Sequence, residues 1–584
     1  MQDNKNIMLA TVLSAMILIG WAWFYEKPRA DRLEQMKKTA AVQSETAAVK
    51  TGEPVKTQAS NAQPVKTDQA METILTLKNR EDILEQSKAN RIKIENENLH
   101  GSISLEGARF DDLTLAKYFV TAEHKEEVKL FSPSQSKERY FADFGWISSD
   151  SSLDLPQPTT LWKSNGAKLT PKTPIILSWK NKQNIEFLVK VSLDENYMFG
   201  ITQSVKNNSN QDISLAPYGR VNRALNVLNQ SNYILHEGAI GTFNGVLQET
   251  NYKDLVEEKN QTFEGKDGGW LGITDKYWLS SIIPDKNITY KANFSNQTAN
   301  QNSIFNSEFV GQEVKIAKNE ELNFDHHLFA GAKKVKLLDQ YAEEYKIPLF
   351  DRSIDFGWFY FLTKPFFFLV SFLNGLLGNF GLAILAMTVI LKLLLFPMAN
   401  KSYSAIAKVK KLQPKVEAIK AKFKDDRIAF NRELMELYKK EKVSPASGCL
   451  PILIQIPVFF ALYKVLFVTL DMRQATFYGW IHDLSAPDPT TIFNLFGLLP
   501  FHPSSTFTIG IWPILMGITM ILQQKLSPSS ADPTQAKILK FMPYVLTFVL
   551  AAFPAGLVIY WTWSNTLSIL QQYLITKKLN KGNH

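Results

Sequence analysis

One lysine stands inside the apolar stretch "AMTVILKLLLFPMA", residues 386–399. Lys392 is followed by Leu393, Leu394, Leu395 and Phe396 before Pro397. A charge at the centre of a membrane helix costs about 2.5–3.5 kcal/mol on insertion scales, so such a side chain faces a bundle interior or a water-filled cavity. Thr388 lies one turn earlier on the same helical face. Gln455 falls within a second apolar segment, and Ser564 and Asn565 within a third. Together these residues offer hydrogen bonds and one positive charge in an apolar setting, the makings of a hydrophilic cavity. Two plainer readings compete. Lys392 is about seven residues, or ~11 Å, from the inner end of its span, a long reach for snorkelling. It can also serve only as a structural hydrogen-bond donor to a neighbouring helix. Lys464, six residues from the outer end of its segment, is expected to snorkel.

Residues for bond-making chemistry are missing from the sequence. It has no phosphate loop, no HExxH and no GxSxG. His326 and His327 are adjacent, which is poor metal geometry in a strand. The single cysteine, Cys449, excludes an intramolecular disulfide and reads as a packing residue. No acidic residue accompanies Lys392 in the spans, so the relays of a proton-driven transporter are not evident. No cofactor and no metal are expected.

The elements that must hold these residues divide the 584-residue chain. Residues 7–25, "IMLATVLSAMILIGWAWFY", are uncharged and end in interface aromatics. Residues 1–25 therefore read as an uncleaved transmembrane signal anchor. Residues 26–72 lack the apolar content to fold and read as a linker. Residues 73–350 show period-two patterning with Asn, Gly, Asp and Ser turns. Ile185, Phe187, Val189, Val191 and Leu193 share one face; "DEN" turns the chain; Tyr197, Phe199, Ile201, Gln203 and Val205 return. This predicts a large β-sandwich. Residues 351–379 are rich in aromatics and interrupted by Lys364-Pro365, and fit an element lying on the bilayer. Residues 380–584 hold five further predicted transmembrane helices: 380–399, 449–470, 507–525, 541–553 and 555–573.

Residues 400–448 carry thirteen Lys/Arg against six acids, so this loop is cytoplasmic by the positive-inside rule. Counting outward, both termini are cytoplasmic and the β domain lies outside, the periplasm of a Gram-negative bacterium. Within the loop, Val409, Leu412, Val416, Ile419 and Phe423, then Phe430, Leu434 and Leu437, are spaced by threes and fours. They predict a helical hairpin with a narrow apolar seam.

Several stretches resemble the YidC/Oxa/Alb family of membrane-protein insertases in its Gram-negative form. They are "IDFGWFYFLTKP", "KLLLFP", "LYKKEKVSPASGCLPILIQIPVFFALY", "MRQATFYGWIHDLSAPDP", "DPTQAKILKFMP" and "FPAGLVIYWTWSN", with "GARFDDLTLAKY" and "GWLGITDKYWLSSIIP" in the β region. The resemblance implies a five-helix core with a hydrophilic groove, a β-supersandwich domain in the periplasm and location in the inner membrane. Lys392 matches the family's groove charge, where many relatives carry arginine. Thr388 and Gln455 match its polar lining, to which Ser564 and Asn565 are added as the polar residues of the last span; Phe459, Met516, Tyr560 and Trp561 match positions facing a client helix. The implied partners are nascent membrane proteins, the Sec translocon, the ribosome through cytoplasmic loops and the phospholipid bilayer, with no specific nucleic-acid sequence. Insertion needs no nucleotide hydrolysis, since transfer of the client helix into lipid drives it. Two other functions stay open from the residues alone: a solute channel with Lys392 as an anion site, and a membrane-anchored periplasmic glycan enzyme using paired carboxylates.

Overall fold

The computed structural model describes residues 79–121, 123–225, 235–299, 302–423, 426–441, 450–492, 509–526 and 533–581. The expected anchor (1–25) and linker (26–72) lie outside the described residues.

Two antiparallel-rich sheets form the β domain. The eleven-stranded sheet runs from Asn260–Gly265 through Tyr290–Ala299, Asn302–Gly311, Ile213–Leu225, Tyr140–Ile147, Arg109–Phe119 and Leu99–Ser104 to Arg91–Glu95 and Lys168–Leu169. The nine-stranded sheet runs from Val246–Asn251 through Gly238–Phe243, Trp270–Thr274, Trp278–Ile283, Glu321–Ala332, Met198–Asn207, Ile185–Leu193 and Ile175–Lys180 to Lys163–Ser164. Their inner faces interdigitate through edge-to-face aromatic pairs such as Phe110–Phe199, with centroids 5.5 Å apart.

The predicted hairpin shows why the pattern is readable. Ile185, Phe187, Val189, Val191 and Leu193 are all buried, as are Tyr197, Phe199, Ile201, Gln203 and Val205. Burial of a single sheet face imposes a period of two. Asp194 sets the turn, its carboxylate accepting from the N–H groups of Asn196 and Met198 at 2.9 Å each. Tyr341, from the helix after the last strand, donates its hydroxyl to the same carboxylate.

His326 and His327 alternate across their strand, so they do not converge on one site. His326 is buried among Phe144, Phe309 and Phe324. Its Nδ1 accepts from the Asp285 N–H at 2.9 Å. Burial lowers its pKa from 6.5 to about 3, against the opposing pull of Asp285. The unfolded chain therefore binds a proton that the folded domain refuses, and stability falls as pH drops from 6.5 towards 3. His326→Leu is expected to flatten this part of the melting-midpoint curve; an unchanged acid limb would exclude His326 as its source.

Among the described residues the α-helices are α1 (Arg80–Ser87), α2 (Tyr252–Glu258), α3 (Val335–Glu344), α4 (Tyr360–Leu377), α5 (Phe380–Leu394), α6 (Phe396–Lys411), α7 (Gln413–Lys422), α8 (Arg427–Lys440), α9 (Leu450–Val468), α10 (Ile511–Leu526), α11 (Pro533–Leu550) and α12 (Ala555–Lys581). Several bounds differ from those predicted. The span expected at 380–399 ends at Leu394, and α6 leaves it at a bend of 70°. Pro397 accounts for the break: it has no N–H to give to the Leu393 carbonyl, and its ring would clash with that carbonyl in a continuous helix. The short helix expected at 541–553 instead begins at Pro533 and ends at Leu550, and α12 continues past 573 to Lys581. Helix α4 falls within the 351–379 region expected to lie on the bilayer; by length and composition alone it is also long enough to cross a membrane. Gly378 ends α4 in the left-handed region (φ 67°), and Asn379 caps α5 by accepting from the Leu382 N–H at 3.1 Å.

The described residues of the hairpin, 404–423 and 426–441, belong to a compact unit distinct from the one that holds the β domain. Leu412, Val416, Leu434 and Tyr438 are buried in its seam with Val409, Phe430 and Leu437 against them. Lys415 pairs with Glu441 at 2.7 Å, which fixes the antiparallel sense.

Candidate functional site

Helices α5, α9, α10 and α12 supply the candidate residues. Asn379 starts α5, and Gly381 lets it approach the loop after α9, where an added Cβ would meet the Phe477 ring at 2.0 Å. Pro457 lies inside α9. The loop over 470–492 folds tightly across one end of this bundle. Met472, Ile481 and Leu484 are fully buried. Asp488 gathers the loop: its carboxylate accepts from Trp480 Nε1 (3.1 Å), the Thr490 N–H (3.0 Å) and the Trp512 N–H (2.9 Å). Ala555 and Gly556 at the start of α12 donate to the carbonyls of Ala486 and Leu484. That end is packed shut.

The other end opens into a cavity. Thr388, Leu391, Lys392, Leu395, Met398, Ala399, Ser402, Tyr403, Gln455, Val458, Tyr560 and Gln571 line it. It offers about 50 Å³ to the centres of water molecules, enough for a small cluster. No carboxylate is among the lining residues. Lys392 Nζ donates to Ser568 Oγ at 2.8 Å, and Ser568 Oγ donates back to the Ser564 carbonyl at 2.9 Å. Gln455 Nε2 donates to the Tyr560 hydroxyl at 2.6 Å. Thr388 is buried and spends its hydroxyl on the Ile384 carbonyl of its own helix at 2.7 Å. The ammonium thus has a neutral partner and water-sized space beside it. A cation so placed attracts negative charge without fixing its geometry.

Lys392, Thr388, Gln455 and Tyr560 come together here. Ser564 contributes through its backbone carbonyl, and Asn565 turns away to Thr519 Oγ1 at 3.2 Å. Phe459, Met516 and Trp561 gather on a different side. Met516, Leu550 and Val558 are buried there, with Phe459, Trp512, Phe553 and Trp561 packed on them. The Phe459 and Trp561 rings meet edge to face at 4.7 Å. Tyr560, grouped with these aromatics on the sequence, belongs to the polar side. Ser568, Ser402, Tyr403 and Gln571 were missed. The spacing of Ser564, Ser568 and Gln571 along one helical face was the available signal.

Lys464 does not snorkel. Its ammonium pairs with Asp355 at 2.8 Å, with a side chain 13% exposed. Lys364 bridges Asp339 (2.7 Å) and Asp351 (2.9 Å) close by. Arg473 donates to the Phe119 carbonyl, and Lys276 lies 3.6 Å from the centre of the Phe467 ring. These contacts fasten the β domain to the outer loop and helices.

Residues 372–582 match the profile of the 60Kd inner membrane protein family, and residues 91–369 match the YidC periplasmic domain. The chain is similar to the membrane protein insertase YidC of Rickettsia akari, 48% identical over 98% of this chain and 99% of that protein. It is equally similar to that of Rickettsia canadensis, 48% identical over 99% of this chain and all of the relative. A solved YidC insertase with its first transmembrane domain resolved aligns over 83% of this chain and 92% of its own, at 17% identity and a TM-score of 0.34.

Proposed function

The chain belongs to the YidC family of membrane protein insertases, and from that premise we propose that the Lys392 cavity receives the polar leading segment of a client while its apolar helix leaves along Phe459, Met516 and Trp561. The protein is an inner-membrane insertase with a periplasmic domain, not an enzyme. The observation that carries the proposed path is the Lys392–Ser568 contact in a cavity without carboxylates. Water and a cation lower the desolvation cost of the entering segment, most for one bearing acids. The closed end around Asp488 keeps the segment from leaking straight through, and transfer of the client helix to lipid supplies the driving force.

In this reading the chain spans the membrane six times, through 1–25 and five core helices, with both termini and the 400–448 hairpin in the cytoplasm. The basic hairpin offers a surface to the ribosome and to lipid headgroups. The Sec translocon is expected to share clients with it.

Site-specific photocrosslinking from Met516 and Trp561 to ribosome-stalled membrane proteins tests the path. Crosslinks are expected to follow the client's transmembrane segment as the chain lengthens. Absence of crosslinks in a folded, probe-bearing protein would return the channel reading to the front.

A further inference from the structure

One face of the eleven-stranded sheet carries arginines for which the insertase reading has no use. Tyr140 belongs to the sandwich core, so Phe141 faces the other way, together with Arg139 before it and Asp143 after it. The neighbouring strand is in register, with Arg220 opposite Asp143 and Asn222 opposite Phe141. Arg109 and Arg220 lie over the Phe141 ring at 4.8 and 5.8 Å. Arg220 is neutralised by Asp143 through two bonds of 3.1 and 2.7 Å, and Glu308 acts on it too. The nearby Asp111 is bonded to Arg91, and Asp112 to Arg80.

Neither Arg109 nor Arg139 has a carboxylate bonded to it among the described residues, although Arg109 acts at longer range on Asp111, which Arg91 already holds. Arg109 Nη1 donates to Ser134 Oγ at 2.8 Å, and its buried Nε has no partner. The Arg139 side chain has no hydrogen bond or ion pair among the described residues, and its Nε is also buried. The charged groups that act on it are Arg220 and Arg109, both repulsive. Burial and those two neighbours depress its pKa to about 10. A half-buried guanidinium held beside like charges is destabilising unless an anion joins it.

We propose that Arg139 and Arg109 form a binding site for a phosphate-class oxyanion on the outward face of the periplasmic sheet. The guanidinium fork matches phosphate oxygens in pairs. A doubly charged phosphate answers both arginines that lack a bonded carboxylate, whereas a carboxylate answers one. Free phosphate and a phospholipid headgroup present the same chemistry.

The test uses the full chain in neutral detergent, with its melting midpoint followed as inorganic phosphate is titrated against chloride at equal ionic strength. Phosphate is expected to raise the midpoint saturably. Arg139→Gln is expected to melt higher without phosphate, because the repulsion is gone, and to bind phosphate about tenfold or more weakly. Arg139→Lys, which keeps the charge and loses the fork, falls between. Lys182→Gln, at an exposed position, behaves as the parent. No phosphate effect beyond chloride, or the same effect in Arg139→Gln, would overturn the site. Glycerophosphoglycerol, a soluble lipid headgroup, separates the sources: competition with phosphate assigns the site to headgroups, and its failure to compete assigns it to soluble phosphate.

Discussion

Lys392→Ala inserts clients with acidic translocated segments about tenfold more slowly than the parent, and clients with uncharged segments nearly as well. At an effective dielectric of about 20, opposite charges about 4 Å apart attract by about 4 kcal/mol. Water in the cavity and averaging over positions leave about 1–2 kcal/mol of this, close to a factor of ten in rate. Lys392→Arg is mild, since the charge stays, and the Ser568 hydroxyl that now accepts from the ammonium at 2.8 Å can accept from a guanidinium. Ser568→Ala separates charge from positioning: the ammonium remains and the acidic clients remain favoured. The measurement is insertion of paired clients differing only in acidic residues, made in vesicles holding each variant. Equal losses for both clients with Lys392→Ala would sink the electrostatic role.

Asp355→Ala in the full chain costs about 3–5 kcal/mol, because it strips a carboxylate from an ammonium already taken out of water. The Lys464 side chain is 13% exposed and the pair spans 2.8 Å. Burial pushes the Asp355 carboxyl up, but Lys464 and the His236 N–H outweigh it and hold its pKa below the ordinary 3.8. A carboxylate with a depressed folded value adds stability above its ordinary pKa, and that stability is lost as pH falls through the lower folded value. The Asp355→Leu, Lys464→Met pair is expected to recover most of the loss, since apolar replacements of a buried pair are often neutral. Unfolding midpoints of the two single variants and the double variant check this. A cost below about 0.5 kcal/mol for Asp355→Ala would mean the contact is an incidental surface pair.

How far the sequence foretold these arrangements depends on the range of the force involved. The Ile185–Val205 hairpin was legible because one buried face writes its period into the chain. The seam around Leu412, Val416 and Leu434 was legible for the same reason at a helical period. Tyr438 entered the seam unforeseen, one position past Leu437, because rotation of α8 settles which neighbour turns inward. Lys392 announced a cavity through cost alone, yet its partner did not follow: Ser568 lies 176 residues away, and Ser564 and Asn565 were equally polar choices. Lys464 was misjudged because distance to a span's end says nothing of Asp355, 109 residues earlier. The break at Leu395 was written in Pro397, but the apolar run across it hid the stop.

The placement of Asp351 and Asp355 makes the joint between sandwich and helices a tether under tension. Both lie after the last strand and directly ahead of α4, so the carboxylates that balance Lys364 and Lys464 sit in the connector between sandwich and helices, and a pull on the sandwich reaches the helices through these ion pairs. The same load is shared by the Phe119 and Arg473 contact, by Lys276 over the Phe467 ring, and by the His236 N–H that donates to Asp355.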